Sequence, residues 1–245
     1  MPTERVAIIT GSGKGIGRAI AQRLAQDGVT IVVNYLRDKT SANETLARVH
    51  SHAPRSILIQ ADVAQPEGAK RLTDETLRAF GRIDILVNNV GPFLVKSLVD
   101  TEIDEWRHII DGNLSSAFYC IKYTLPAMRA QKSGHIINLG SLNAELARGA
   151  IAAPAYNAAK TALVVLTKSV ARSEAQYGIR CNIVNPGFIE TYATPEKDLR
   201  EMPERIPLGR LGKPEDIANA IAFLISEKAA YINGAVLNVS GGLWT

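Results

Sequence analysis

Seven short apolar runs rich in β-branched residues recur along the chain: Val6 to Thr10, Thr30 to Val33, Ser56 to Ile59, Ile83 to Val87, His135 to Leu139, Arg180 to Val184 and Ala235 to Val239. Between them, apolar positions repeat at helical spacing, as at Ile16, Ile20 and Leu24 and again at Ala159, Leu163 and Leu166. The pattern reads strand, helix, strand throughout and predicts an α/β fold whose parallel sheet is covered on both faces. Punctuation agrees: Gly28, Gly81 and Gly178 stop helices, and Lys213-Pro214-Glu215-Asp216 starts one with proline and acids in its first turn. No linker, repeat or low-complexity tract interrupts the rhythm, so residues 1–245 read as a single domain. Thr194 to Leu211 departs from it, with Pro195, Pro203, Pro207 and Gly209 among many charges. Too polar for core, it predicts a mobile, partly helical segment over a site, near residues 192–211.

Composition narrows the class. With 46% hydrophobic and 21% charged residues the chain is an ordinary globular protein, neither disordered nor fibrous. Cys120 and Cys181 lie far apart and outside any C-x-x-C pattern, so neither a zinc site nor a redox pair is expected. His50 and His52 flank a polar helix end and read as solvated; no metal is expected. No apolar run is long enough to cross a membrane, and Met1-Pro2-Thr3-Glu4-Arg5 precedes too short an apolar stretch for a signal peptide, which points to the cytoplasm. The net charge of +4 comes without a basic block or an aromatic-interleaved stripe, so a small anionic ligand is favoured over nucleic acid.

The first strand runs through Thr10-Gly11-Ser12-Gly13-Lys14-Gly15-Ile16-Gly17 straight into an amphipathic helix. Glycines there allow a tight turn and let a phosphate approach the helix N-terminus, where free N–H groups and the helix dipole attract negative charge. A G-x-G-x-x-G fingerprint is absent, because its last position falls on Ile16 or Arg18; the motif is T-G-x-x-x-G-x-G on Thr10, Gly11, Gly15 and Gly17. The second strand ends at Asn34, where an acid would hold the adenosine ribose and repel a 2′-phosphate. Lys14 and Arg37 are nearby instead, so NADP(H) is preferred over NAD(H), with Asp38 the residue that could reverse the preference. Asp62-Val63 after strand three could meet the adenine amino group, or Asp62 could cap a helix. Asn89 and Gly91 in Asn88-Asn89-Val90-Gly91 follow strand four as ligand contacts or as turn residues.

Tyr156 and Lys160 stand four apart at the start of a helix, with Ser141 just after strand five. That spacing puts the phenol and the ammonium on one face, where the lysine charge would lower a phenol pKa that starts at about 10. Tyr156 would then serve as a general acid or base near neutral pH.

With these residues in view, the chain resembles the short-chain dehydrogenase/reductase family over essentially its full length. The likeness rests on the glycine motif, Asp62, Asn88 to Gly91, Asn113 in Asn113-Leu114-Ser115-Ser116, Ser141, Y-x-x-x-K at Tyr156 to Lys160, and Pro186-Gly187-Phe188-Ile189-Glu190-Thr191. It implies a doubly wound Rossmann domain with a seven-stranded parallel sheet and a homotetramer. Asn113, Ser141, Tyr156 and Lys160 match the family's catalytic tetrad. The cofactor contacts it implies include Gly11, Ser12, Lys14, Gly15, Ile16, Gly17, Arg37, Asp62, Val63, Asn89, Gly91, Tyr156, Lys160, Pro186 and Gly187, with Ile189 and Thr191 at the nicotinamide end. The implied reaction is hydride transfer between the nicotinamide and a carbonyl carbon, with Ser141 on the carbonyl oxygen and Tyr156 as proton donor. Lys160 would hold the ribose and Asn113 a water.

Pro207 to Ile217 and the ending Asn238-Val239-Ser240-Gly241-Gly242 resemble the branch of 3-oxoacyl-acyl-carrier-protein reductases. A 3-oxoacyl thioester is therefore the leading substrate, with an acyl carrier protein as the partner that could present it. Three features differ from that branch. The stretch from Ser141 to Tyr156 is longer, in the substrate-facing loop Leu142 to Pro154. Ala159 and Val90 replace commoner residues. Arg129 and Lys132 face the expected carrier surface, but Tyr177 stands where a second basic group would be natural. An NADP-dependent reductase or dehydrogenase of small ketones, sugars or alcohols is the alternative; a non-catalytic dinucleotide sensor would need a broken tetrad, and none of the four is replaced.

Overall fold

Val6 and Ile8 of β1 (Val6–Ile9) bury into one hydrophobic core while Ala7 and Ile9 bury into another. Both faces of the sheet are therefore covered, which is why β1 is apolar throughout. The computed structural model describes residues 4–192 and 194–243. Beside β1 run β2 (Thr30–Tyr35), β3 (Ile57–Gln60), β4 (Ile85–Asn88), β5 (Gly134–Leu139), β6 (Ile179–Pro186) and β7 (Val236–Val239), all parallel, in the order β3-β2-β1-β4-β5-β6-β7. Each of the seven expected runs is a strand.

One core carries α1 (Gly15–Gln26), α2 (Lys39–His50) and α8 (Pro214–Leu224), through residues such as Ile20, Leu24, Val49, Ile217 and Ile221. The other carries α3 (Pro66–Phe80), α5 (Ser116–Gln131) and α6 (Pro154–Glu174), through Leu72, Ile121, Met128 and Val170. This is the doubly wound Rossmann arrangement. Its strand order reverses between β1 and β4, so the connections leaving their carboxyl ends part and open a crevice. Gly81 ends α3 in the left-handed conformation, as its position predicts. Cys120 and Cys181 are free and buried, and burial pushes the Cys120 thiol up to about 12.

The charged stretch after residue 193 corrects the expectation that it holds no core. It forms α7 (Glu196–Arg205), and Met202, Ile206 and Leu211 bury with Leu243 in a separate small cluster against Leu142 and Phe188. Charges occupy the outer face of α7, so the overall polarity of the stretch concealed three inward side chains. Residues 1–3, 193, 244 and 245 lie outside the described residues. Among the described residues no helix is long and apolar enough to cross a membrane. His50 and His52 are exposed, bonded to the Ser56 carbonyl and the Ser51 hydroxyl.

Candidate active site

Between β1 and α1 the chain needs glycine for two separate reasons. Gly11 and Gly15 adopt φ of +61° and +57°, the left-handed region. At Gly17 a Cβ would sit 2.7 Å from the Gly11 carbonyl oxygen and 2.8 Å from Asn89 Nδ2, so only glycine lets α1 approach the turn. Side chains then fix the loop from outside. Ser12 Oγ donates to the Ile9 carbonyl (2.8 Å) and accepts from Asn34 N–H (3.1 Å), while Asn34 Oδ1 accepts from Gly11 N–H (3.1 Å). Arg18 donates to the Gly13 carbonyl (2.7 Å) and to Thr45 Oγ1 (2.8 Å).

Lys14 precedes α1 without a side-chain cap, and the first turn, with Ile16, holds no acid. The exposed N–H groups and dipole at that end suit an anion. These features fit the diphosphate of a dinucleotide. Asn34 is not the end of its strand: β2 continues to Tyr35, and Asn34 is fully committed inside, with Nδ2 donating to the Ala61 carbonyl (3.1 Å). Asn89 stands at the sheet's carboxyl edge, where its Nδ2 donates to the Thr10 and Gly11 carbonyls (2.9 and 3.2 Å).

Near the end of β2, Lys14 Nζ stands 3.5 Å from Asp38 Oδ2 and 4.4 Å above the Tyr192 ring. Asp38 caps α2, accepting from Ser41 N–H (3.0 Å) and Ser41 Oγ (2.8 Å); these bonds hold its carboxyl below the ordinary value. Arg37 is exposed, and its guanidinium has no partner among the described residues. A cleft of about 910 Å³ is lined here by Lys14, Gly15, Arg18, Ser41, Thr191 and Tyr192. Asp62 does not cap α3, whose cap position is Gln65; its carboxylate accepts from Ala64 N–H (3.0 Å) in a turn of its own, beside buried Val63.

The expected catalytic side chains do converge. Between α4 (Ile103–Ile110) and α5 the helix widens by a π-type turn, Asp111–Ser115, that turns Asn113 inward. Asn113 Nδ2 donates to the Pro92 and Ile109 carbonyls (2.8 and 2.9 Å), leaving Oδ1 buried without a partner. Lys160 Nζ donates to the Leu139 carbonyl (2.7 Å), and burial lowers its pKa to about 8. A Cβ on Gly91 would come within 2.5 Å of Asn113 Oδ1 and 3.1 Å of Lys160 Nζ, so Gly91 preserves the space between them.

Proline begins α6, and Tyr156 follows in its first turn, its ring meeting Phe93 edge-on at 4.8 Å and lying 5.6 Å from Lys160 Nζ. Burial pushes the Tyr156 phenol above its ordinary value, opposed by a hydrogen bond with Ser141. This corrects the expectation of a lowered pKa: the ammonium lies over the ring and bonds a carbonyl, while desolvation acts directly on the phenolate.

At the end of β6, Pro186 pairs with Val239 of β7, and Gly187 N–H donates to the Val239 carbonyl (2.9 Å). Ile189 pairs with Gly212, and Gly212 N–H bonds the Phe188 carbonyl (2.9 Å) while Glu190 N–H bonds the Gly212 carbonyl (2.8 Å). Thr191 N–H bonds Thr194 Oγ1 (2.8 Å) at the base of the segment carrying α7. Sequence reasoning passed over Arg18, Phe93, Tyr192 and Glu145. For Glu145 a signal existed: asparagines, poor strand formers, stand at 185 and 238 in two strands and await partners.

Arg129 is not a free surface cation. It forms a two-pronged ion pair with Glu174 (2.6 and 2.7 Å) and packs on the Tyr177 ring at 4.8 Å. Together with Lys132 it lies where α5 turns into β5, the strand end opposite Ser141.

A family model described as enoyl-(acyl carrier protein) reductase matches residues 11–244. The 3-oxoacyl-[acyl-carrier-protein] reductase FabG of Staphylococcus aureus (strain Mu50) is 40% identical over 250 residues, with 100% of each chain covered. The chain belongs to the short-chain dehydrogenase/reductase family. It is an oxidoreductase of the CH–OH/C=O couple, and its family implies a nicotinamide dinucleotide. The 3-oxoacyl-[acyl-carrier-protein] reductase of Synechocystis sp. is 39% identical, covering 98% of this chain and 97% of that one. Among solved structures, acetoin dehydrogenase YohF from Salmonella typhimurium superposes with a TM-score of 0.90 at 36% identity, covering 98% and 96%.

Proposed function

We propose that this enzyme reduces a carbonyl to an alcohol with NADPH in the cytoplasm, the leading substrate being a 3-oxoacyl thioester. The observation that carries the catalytic assignment is the convergence of Lys160 Nζ and the orphaned Asn113 Oδ1 on Gly91, with the Tyr156 ring 5.6 Å from Lys160 Nζ and Ser141 acting on its phenol. The dinucleotide lies against Gly11, Ser12, Lys14, Gly15, Ile16 and Gly17, reaches Asn89 and Gly91, and ends against Pro186, Gly187, Ile189 and Thr191. When bound, its nicotinamide supplies the hydride.

Ser141 donates a hydrogen bond to the substrate oxygen, and the Tyr156 Oη proton passes to that oxygen as negative charge develops. The phenol is protonated near neutral pH, so its proton is in place before hydride transfer. Lys160 holds the ribose hydroxyls with its ammonium. Asn113 Oδ1 is the acceptor for a water that links Lys160 to solvent.

NADPH over NADH is supported by the end of β2, where Tyr35 and Leu36 stand and no acid does, and by the unpartnered Arg37. Asp38, committed to Ser41 and Lys14, is held away from a ribose role. Asp62 and Val63 border the adenine. The described part of the 192–211 segment acts as a lid on the bound ligands, hinged at Ile189 and Gly212. Exposed Phe118 on α5 and Val165 on α6 line one apolar groove, which supports association of copies of this chain as a homotetramer.

The relatives named for 3-oxoacyl-[acyl-carrier-protein] support the thioester. The closed Arg129 pair and the similarity to acetoin dehydrogenase favour a second reading, a small ketone or alcohol substrate without a carrier protein. NADPH consumption with acetoacetyl thioester, free and on acyl carrier protein, beside ketones, α-diketones and sugars, each repeated with NADH, separates them. Fast thioester turnover with NADPH is expected; a dead thioester beside an active ketone or sugar replaces the first reading with the second.

A further inference from the structure

Asn185 and Asn238 are direct register partners on β6 and β7, so their side chains share one face at the carboxyl end of the sheet. Asn185 Nδ2 donates to Asn238 Oδ1 (3.0 Å) and to Glu145 Oε2 (3.1 Å), and Asn238 Nδ2 donates to Glu145 Oε1 (2.8 Å). Both oxygens of one carboxylate are thus held by two amides from adjacent strands. Glu145 lies in the loop that follows Ser141, in a turn of 3₁₀ helix, Ala144–Leu146.

The stretch between Ser141 and Glu145 is fastened at both ends. Before it, Gly140 N–H donates to the Val184 carbonyl (2.8 Å), and a Cβ at this position would overlap Asn185 Oδ1, so only glycine fits beside that oxygen. Between them, Ala144 N–H bonds the Ser141 carbonyl (3.1 Å), and Asn143 takes a left-handed φ of 63°, a conformation asparagine adopts more readily than other non-glycine residues. Beyond Glu145 the loop is loosely held, with Leu146, Ala147, Arg148 and Gly149 exposed.

We infer that Glu145, clamped by Asn185 and Asn238, is a positioning residue that holds the turn bearing Ser141 against the β6–β7 edge and so sets where Ser141 Oγ meets the substrate oxygen. The inference rests on the proposed role of Ser141. A hydroxyl carried on a four-residue turn moves with the turn's far end, and a misplacement of an ångström costs up to about a hundredfold in rate.

The triangle defines its own test, because donor and acceptor can be exchanged. Glu145→Gln places an amide against amide donors, and Asn238→Asp places a second carboxylate beside Glu145. The double variant Glu145→Gln with Asn238→Asp restores one acceptor and one donor with the signs reversed. Two readouts follow each variant: turnover with the best substrate of the wild-type panel, and tryptic cleavage after exposed Arg148, which needs no activity. Cofactor affinity is followed by fluorescence titration, and thermal melting reports folding.

Each single variant is expected to lower kcat by about tenfold or more, to speed cleavage at Arg148, and to leave cofactor Kd within about twofold. The double variant is expected to recover most of both. Unchanged kcat in the single variants, even with faster cleavage, overturns the inference, as does a double variant no better than the singles. A kcat loss matched by an equal loss of cofactor affinity or by general unfolding also overturns it. Should the wild type reduce nothing in the panel, the functional reading fails separately, and cleavage at Arg148 decides: unchanged rates overturn the clamp, and faster rates reversed by the swap support it.

Discussion

The two sides of the active-site crevice are built by different means. On the cofactor side, between β1, β2 and β4, the loop is shaped by backbone requirements at Gly11, Gly15 and Gly17 and braced by Asn34, Arg18 and Asn89, most of them buried or half-buried. On the substrate side, beyond β5 and β6, long connections return to the sheet through few contacts: the Glu145 clamp, the Ile189–Gly212 bridge and the small cluster of Met202, Ile206, Leu211 and Leu243. Many bonds per residue on one side and few on the other mean that the first tolerates little change, while the second can be rebuilt around another substrate without disturbing the sheet. Relatives named for an acyl-carrier-protein substrate and for acetoin match this chain over nearly its whole length.

The largest expected effect lies where the sides meet. Tyr156→Phe should lower kcat by about a thousandfold while cofactor Kd, read by fluorescence titration, stays within about threefold. A variant with near-normal turnover would remove Tyr156 from the chemistry and leave only the cofactor side as a functional site.

Gly17→Ala strikes the cofactor side alone. Its Cβ would meet backbone, which cannot swing aside, so cofactor affinity should fall by roughly a hundredfold, and melting should show about 2 kcal/mol lost. Equal affinity would show the loop to be softer than its hydrogen bonds indicate.

Lys160 couples the two sides through its charge. Its folded pKa of about 8 lies below the ordinary 10.5, so the ammonium is lost as pH rises through 8. kcat/KM for reduction should accordingly fall about tenfold between pH 7 and pH 9. Stability should move the other way: between pH 8 and 10.5 the unfolded chain holds this proton and the folded one does not, so unfolding becomes harder as pH rises across that window. A flat activity profile to pH 9 would mean that bound ligands restore the lysine to its ordinary range.

A smaller effect is expected at the exposed rim. Arg37→Ala should raise KM for NADPH about fivefold and leave KM for NADH unchanged, as suits one solvated charge contact. Equal effects on both cofactors would break the assignment of the 2′-phosphate. Finally, NADPH should slow tryptic cleavage after Arg200 and Arg205 in α7 by about twofold to fivefold if the segment closes on bound ligand; an unchanged rate would make the substrate side as fixed as the cofactor side.

What the sequence determined by itself was whatever depends on residues close together along the chain. The strands were legible from apolar runs, and the glycine turn and the Tyr156–Lys160 pair from their spacing, because strand pleat and helix pitch are local geometry. The three inward side chains of the α7 segment were hidden by charges on its outer face. Tertiary structure alone decided the rest. Burial of the Tyr156 phenol reversed the expected direction of its pKa, since desolvation depends on everything packed around the ring. Arg129 was claimed by Glu174, forty-five positions away, and Glu145 by Asn185 and Asn238, forty and ninety-three away. Such partners are chosen by the register of parallel strands and the seating of helices on them, which bring together side chains that no sequence window contains.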